Sequence, residues 1–293
     1  MQIATIRLKG RNQACIRTAQ GGVPLQAINR LAGAGWPLEL ETLIQTQALS
    51  EVVDWYRRQG HLTLERVPTE AVSEKMLRYA PPLAQPSKLW GIGLNYVAHA
   101  GDLDEVAPEE IPASFMKPST TIIAHGETIQ IPTHSQRTTG EAELGVVIGR
   151  TAKNVRAQNW LDYVAGFVAI IDMTAEDILR RNPRYLTLSK SFDTFFSFGP
   201  WLVTPDEIED IFALEVATVI NGGVHACNQV GNMTFTPDKL VAFHSGVMTL
   251  NPGDIISTGT PGAVVLKDGD HIACRISGFK TLENPVKDLK SGR

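Results

Sequence analysis

The sequence predicts a β-rich α+β fold, and three observations carry that expectation. Apolar, partly β-branched runs are short, as at 167–171 and 255–258. They are separated by turn residues such as Asn221-Gly222-Gly223 and Asn251-Pro252-Gly253-Asp254. Few segments sustain a helical period for long.

In chain order, residues 3–8 and 14–18 read as two short strands with Lys9-Gly10-Arg11-Asn12 turning between them. Leu49, Val52, Val53 and Tyr56 recur at helical spacing, and Gly60 is placed to stop that helix. The proline-rich stretch Ala80-Pro81-Pro82-Leu83-Ala84-Gln85-Pro86 reads as a connector. It divides a small N-terminal module, 1–80, from a larger domain, 81–293. Beyond it, residues 89–94 form an expected strand leading into Asn95 and Tyr96. Residues 214–220 form another strand, closed by the Asn221-Gly222-Gly223 hairpin turn. Pro237 opens a helix running through His244.

With 293 residues, 43% hydrophobic and 20% charged, the chain can bury a sizeable core. Lys and Arg number 27 against 31 Asp and Glu, so the formal charge is −4 and no basic block stands out. Nucleic acid and anionic membranes are therefore not expected partners. No apolar run reaches the length of a membrane span, and a cytoplasmic location is the expectation. Cys15, Cys227 and Cys274 are too few and too scattered for a disulfide framework and read as small buried residues.

The chemistry concentrates at Thr139-Gly140-Glu141-Ala142-Glu143-Leu144-Gly145. On a strand, Glu141 and Glu143 point to the same face. Two neighbouring carboxylates amid apolar residues require water, a cationic side chain or a metal to balance them; otherwise the segment is a solvated edge strand. Some thirty residues on, the expected strand at 167–171 ends in Asp172. Thr174-Ala175-Glu176-Asp177 follows and reads as a helix start capped by Thr174. Glu141, Glu143 and Asp172 together make an all-oxygen set suited to Mg²⁺ or Mn²⁺.

Elsewhere, if residues 95–102 turn as a short helix, His99 and Asp102 meet on one face, the geometry of a base and its orienting carboxylate. Glu105 is the alternative partner. Lys117 reads either as a surface lysine or as functional. Lys190, between apolar neighbours, either pairs with Asp193 or another acid or faces a developing oxyanion. Gly259 lets backbone approach a ligand closely, and the Thr260 hydroxyl can bond a substrate carboxylate.

These motifs resemble the fumarylacetoacetate hydrolase (FAH) family. The likeness spans 90–286 and comprises Gly93-Leu94-Asn95-Tyr96 with His99, Phe115-Met116-Lys117-Pro118, the Glu-x-Glu strand and Asp172-Met173-Thr174-Ala175. It continues through Lys190-Ser191-Phe192-Asp193-Thr194, Gly199-Pro200-Trp201, Asn221-Gly222, Asn251-Pro252-Gly253-Asp254 and Thr258-Gly259-Thr260-Pro261. It implies an FAH-type mixed β-roll, usually a homodimer, and a divalent-metal-dependent hydrolase cleaving a C–C bond in a 2,4-dioxo acid. Related chemistries are decarboxylation, tautomerisation or hydration of a similar oxo acid; a non-catalytic binding relative is a further alternative. In the family, His99 and an acid on a lid activate water, the acid usually being glutamate rather than Asp102; Lys190 helps carry developing charge and Thr260 matches a substrate contact. Many relatives carry arginine where this chain has Glu176 and glutamine where it has Leu179, so the pocket's polarity here is its own.

Overall fold

The computed structural model describes residues 1–97 and 108–291. Its first strands are β1 (Gln2–Leu8), β2 (Arg11–Thr18) and β3 (Gly21–Pro24). After the connector come β4 (Leu89–Gly93), β5 (Ala113–Lys117), β6 (Ile122–Ile123) and β7 (Ile129–Ile131). The central strands are β8 (Thr138–Ile148), β9 (Val164–Ala175) and β10 (Phe196–Val203). The hairpin β11 (Glu215–Ile220) and β12 (Gly223–Gln229) follows, then β13 (Ile255–Ser257), β14 (Ala263–Val265), β15 (His271–Ile276) and β16 (Leu282–Asp288).

Eleven strands form one sheet, in the order β3-β2-β1-β10-β9-β8-β13-β4-β5, with β14 beside β8 and β6 beside β10. The other five form a second sheet, β12-β11-β15-β16-β7. The predicted β-rich α+β class is what the chain adopts. Strand alternation sorts the large sheet into two faces. Ala142, Leu144, Val146, Phe167, Ala169 and Ile171 pack against the second sheet, through Val216, Ile272, Cys274 and Val286. Val147, Val168, Ile170, Phe198 and Leu202 instead meet Ile28, Leu43 and Val52, from the helices Leu25–Ala32, Leu40–Gln45 and Ala48–Trp55.

The expected N-terminal hairpin forms, β1 and β2 pairing antiparallel. It does not stand alone, because β1 also pairs with β10 and the connector lies along it, Ala80 N–H donating to Thr5 O at 3.0 Å. Gly60 does not end the helix begun at Ala48. One wide turn, Tyr56–Gly60, leads directly into a further helix, His61–Glu65. The glycine is needed there for space, since a Cβ would lie 2.6 Å from the Trp55 ring. The hairpin turn between β11 and β12 has Asn221 and Gly222 both at positive φ, the conformation such a tight turn demands. Among the described residues no helix is long and apolar enough to cross a membrane.

Candidate active site and metal centre

Strand β8 is interior to its sheet, flanked by β9 on one side and by β13 and β14 on the other. The edge-strand reading of Glu141 and Glu143 is thereby excluded. Register places Glu141 directly opposite Asp172. One carboxylate oxygen from each of Glu141, Glu143 and Asp172 can be chosen so that all three lie within 4.8 Å of one another. Strand β9 continues past Asp172 to Ala175, and the helix that follows is Glu176–Arg181. Thr174 is therefore a strand residue and not a helix cap. Its Oγ1 donates to Glu141 Oε1 at 2.8 Å, fixing that carboxylate instead.

Two lysines reach into the cluster. Lys190, at the end of helix Leu186–Lys190, donates to Asp172 Oδ2 at 2.5 Å and to Glu141 Oε2 at 3.1 Å. It does not take the Asp193 alternative. Its ammonium also lies 4.6 Å from the centre of the Phe115 ring, a cation–π contact. Lys117, at the end of β5, donates to the other oxygen of Asp172 and to Met173 O at 3.1 Å. With 3% of its surface exposed, it is no surface lysine.

Glu143 is held differently. Its Oε2 accepts from Ser257 Oγ and from Gly259 N–H at 2.9 Å, and no lysine or arginine among the described residues pairs with it. Gly259 has φ +95°, and a Cβ there would lie 2.8 Å from Asn95 Cβ. Asn95 in turn ties the segment down, its amide donating to Thr258 O at 2.7 Å and Phe235 O at 2.9 Å. Thr260 is buried, and its hydroxyl donates to Gly262 O at 3.1 Å. His99, Asp102 and Glu105 lie outside the described residues.

The electrostatics follow from burial and charge count. Burial would raise Asp172, but Lys117 and Lys190 outweigh it and hold the carboxyl below its ordinary value. Burial pulls Lys117 down to about 8, against the attraction of Asp172 and with the help of Lys190. Burial also works against Lys190, yet Asp172, Glu141 and Glu143 together keep it above the ordinary lysine range. Glu143 goes the other way: burial, then Asp172 and Glu141, push it up to about 8. Three carboxylates face two ammonium groups, and Glu143 is the group left without a counter-charge. A hard divalent cation fits this donor set: all its ligands are oxygen, and it would neutralise the one uncompensated carboxylate.

Sequence reasoning missed the supporting residues Thr174 and Ser257 and left Lys117 open. Ser257 carried a signal, standing two residues before Gly259 on an expected strand. Lys117 carried little beyond the motif around it. Three surface clefts of about 520, 530 and 360 Å³ open elsewhere, and none is lined by a residue of the acidic cluster.

An interior strand pair bearing three carboxylates, reached by two buried lysines from β5 and from the helix Leu186–Lys190, defines a carboxylate-rich centre of the kind that holds a divalent cation. The profile of the fumarylacetoacetate (FAA) hydrolase C-terminal family matches residues 88–287, and the chain belongs to that family. Among its relatives is the oxaloacetate tautomerase fahd2, mitochondrial, of Xenopus laevis, 35% identical over 224 residues that cover 73% of this chain and 70% of the relative. The 5-carboxymethyl-2-hydroxymuconate delta-isomerase of Mycobacterium smegmatis superposes with a TM-score of 0.74 at 27% identity, over 98% of this chain and 99% of the other. The maleylpyruvate hydrolase of Sphingobium sp. SYK-6 superposes with a TM-score of 0.76 at 25% identity, over 98% and 100%.

Proposed function

We propose that this chain is a Mg²⁺- or Mn²⁺-dependent enzyme acting on 2-oxo acids, and that it hydrolyses a C–C bond in an acylpyruvate-like 2,4-dioxo acid. The observation that carries this reading is the Lys190 ammonium, buried and in contact with both Asp172 and Glu141. Glu141, Glu143 and Asp172 would hold the cation, which supplies a chelating template for the substrate's carboxylate and 2-oxo oxygen and Lewis-acid polarisation of that carbonyl.

Lys190 then stands where negative charge develops as the 2-oxo acid becomes an enolate, in surroundings that exclude water and so strengthen its effect. Lys117 holds Asp172 from behind. Gly259 and Ser257 fix Glu143, so the carboxylates are oriented before substrate arrives. In the hydrolytic reading His99, oriented by Asp102 or Glu105, takes the proton from the attacking water, and the released enolate collects a proton to give the oxo acid. Gly259 and Thr260, on the turn that fixes Glu143, are the residues we assign to substrate contact.

Turnover of a small acylpyruvate panel by chelated protein, with and without Mg²⁺ or Mn²⁺, tests this. Metal-dependent release of pyruvate supports hydrolysis. Tautomerisation of an oxo acid such as oxaloacetate is the second reading, favoured by the relative of that activity at 35% identity. It needs the same enolate stabilisation and no attacking water. Enol–keto exchange without fragments would select it; no turnover of any oxo acid would remove both readings.

A further inference from the structure

Lys190 is carried by a helix of five residues, Leu186–Lys190, of which only Ser189 and Lys190 are buried. So short and exposed an element does little to aim a side chain, and the flexible four-carbon stem of lysine adds freedom of its own. The ammonium is nonetheless held from three directions: Asp172 at 2.5 Å, Glu141 at 3.1 Å and the face of the Phe115 ring, 4.6 Å to its centre. Lys117 lies 5.8 and 6.0 Å from the rings of Phe195 and Phe196, at the outer limit of such contacts. Of the two lysines, the one assigned to the developing charge has the close aromatic partner.

The sheet is built to seat that ring. Phe115 and Lys117 point to the same side of β5 and are both buried, while Met116 between them is exposed. Register places Phe115 opposite Gly91 on β4, and Gly91 opposite Ser257 on β13. Residues directly opposite one another share a face, so the ring lies in the same row as the serine that bonds Glu143. Gly91 leaves the place of its side chain empty, and the outer end of the ring fills it. A Cβ there would collide with Phe115 Cζ and with both Cε atoms.

Resting on the functional reading above, we propose that Phe115 is a positioning residue for the reaction, its ring face holding the Lys190 ammonium where the enolate oxygen forms, with Gly91 as the seat of the ring. Lysine has three N–H donors, and Asp172 and Glu141 take two of them. An aromatic face attracts the charge through its quadrupole without supplying a conventional acceptor, so the third donor is left for the substrate. A further carboxylate in that place would hold the lysine as firmly but would cancel the charge that the reaction needs. The ring also keeps water from that side of the ammonium, which strengthens its pull on developing negative charge. That charge appears in the transition state, so weakening the hold of the ring lowers kcat and leaves KM.

The experiment replaces Phe115, in the full-length Mn²⁺-loaded protein, by mono-, di- and trifluorinated phenylalanine, which keep the shape of the ring and drain its face of negative charge step by step. With an acylpyruvate or oxaloacetate as substrate, kcat is expected to fall with each fluorine, by about fivefold at the third, while KM and Mn²⁺ affinity stay within about twofold. Phe115→Leu and Gly91→Ala are expected to lower kcat about tenfold, and Phe115→Tyr to retain most of it; should any of these fail to fold, the fluorinated series decides alone. A kcat indifferent to fluorination overturns the proposal, as does a loss shared equally by KM or Mn²⁺ affinity, which a merely structural role would give. Oxalate supplies a readout without turnover, since its ground state carries adjacent anionic oxygens like those of a pyruvate enolate. Its calorimetric affinity is expected to fall along the same series while that of pyruvate does not. That pattern without turnover of any oxo acid would remove the proposed reaction and leave the role of the ring standing. Turnover with neither kcat nor oxalate affinity following the series removes the role of the ring and leaves the reaction.

Discussion

The backbone N–H of Gly259 donates to Glu143 Oε2 at 2.9 Å, so a glycine turn more than a hundred residues away sets the orientation of a carboxylate in the Glu-x-Glu strand. The turn takes a left-handed φ of +95° and passes so close to Asn95 that any side chain collides. Gly259→Ala is expected to destabilise the protein by about 1–3 kcal/mol through backbone strain and to weaken Mn²⁺ binding about tenfold. Thermal melting and calorimetry check the two effects. Unchanged Mn²⁺ affinity would show that this hydrogen bond does not hold Glu143.

Asn95 secures the same turn from the other side. Besides its two donated bonds, its Oδ1 accepts from Phe235 N–H at 2.8 Å. Asn95→Ala strands these buried partners and is expected to lower stability by about 2–4 kcal/mol, each unpaired group contributing about 1–3. Denaturant unfolding measures it; a change below about 1 kcal/mol would mean that the segment is held by packing alone.

Lys190→Met leaves Asp172 and Glu141 short of a counter-charge. The chelated variant is expected to lose about 3–5 kcal/mol, the scale of breaking a buried ion pair. Saturating Mn²⁺ should restore much of that loss by binding the native state selectively, while turnover of oxo acids stays abolished. Recovered activity along with recovered stability would remove Lys190 from the chemistry.

Glu143 gives the chelated protein a pH signature. Its folded pKa is raised from 4.5 to about 8, so between those values the native state keeps a proton that the unfolded chain has released. Stability attributable to this group therefore falls as pH rises from about 5 to 8. Comparing chelated wild type with chelated Glu143→Gln isolates the effect from other titrating groups such as His125. The wild type is expected to lose stability relative to the variant across that range, and to regain it at pH 8 when Mn²⁺ is added. Parallel pH profiles for the two proteins would refute the assignment.

The donor strand was legible because alternation is local: Glu141 and Glu143 share a face in any regular strand. That Asp172 joins them was legible only from the motif around it, since the pairing of β8 with β9 depends on a register that residue spacing does not encode. Lys117 shows the limit most clearly. It reaches Asp172 from 55 residues away across the fold, and nothing in its neighbourhood distinguishes a buried lysine from an exposed one. Thr174 was misplaced for a related reason. A threonine before two acids looks like a helix cap, but the ladder to Thr139 prolongs the strand past it. Gly60 failed through packing, the Trp55 ring claiming the space of a side chain while the backbone stayed helical.

The attachment of β1 to β10 bears on how the protein tolerates truncation. Ile3 and Ala4 lie opposite Leu202 and Trp201, and β10 is hydrogen-bonded in turn to β9, which carries Asp172. A chain cut at the proline-rich connector would expose the backbone of residues 201–203 as a bare, apolar edge, a template for intermolecular pairing. The natural seam in the sequence is thus a poor place for scissors: shortened versions should aggregate on expression, because the part that looks dispensable covers the edge of β10.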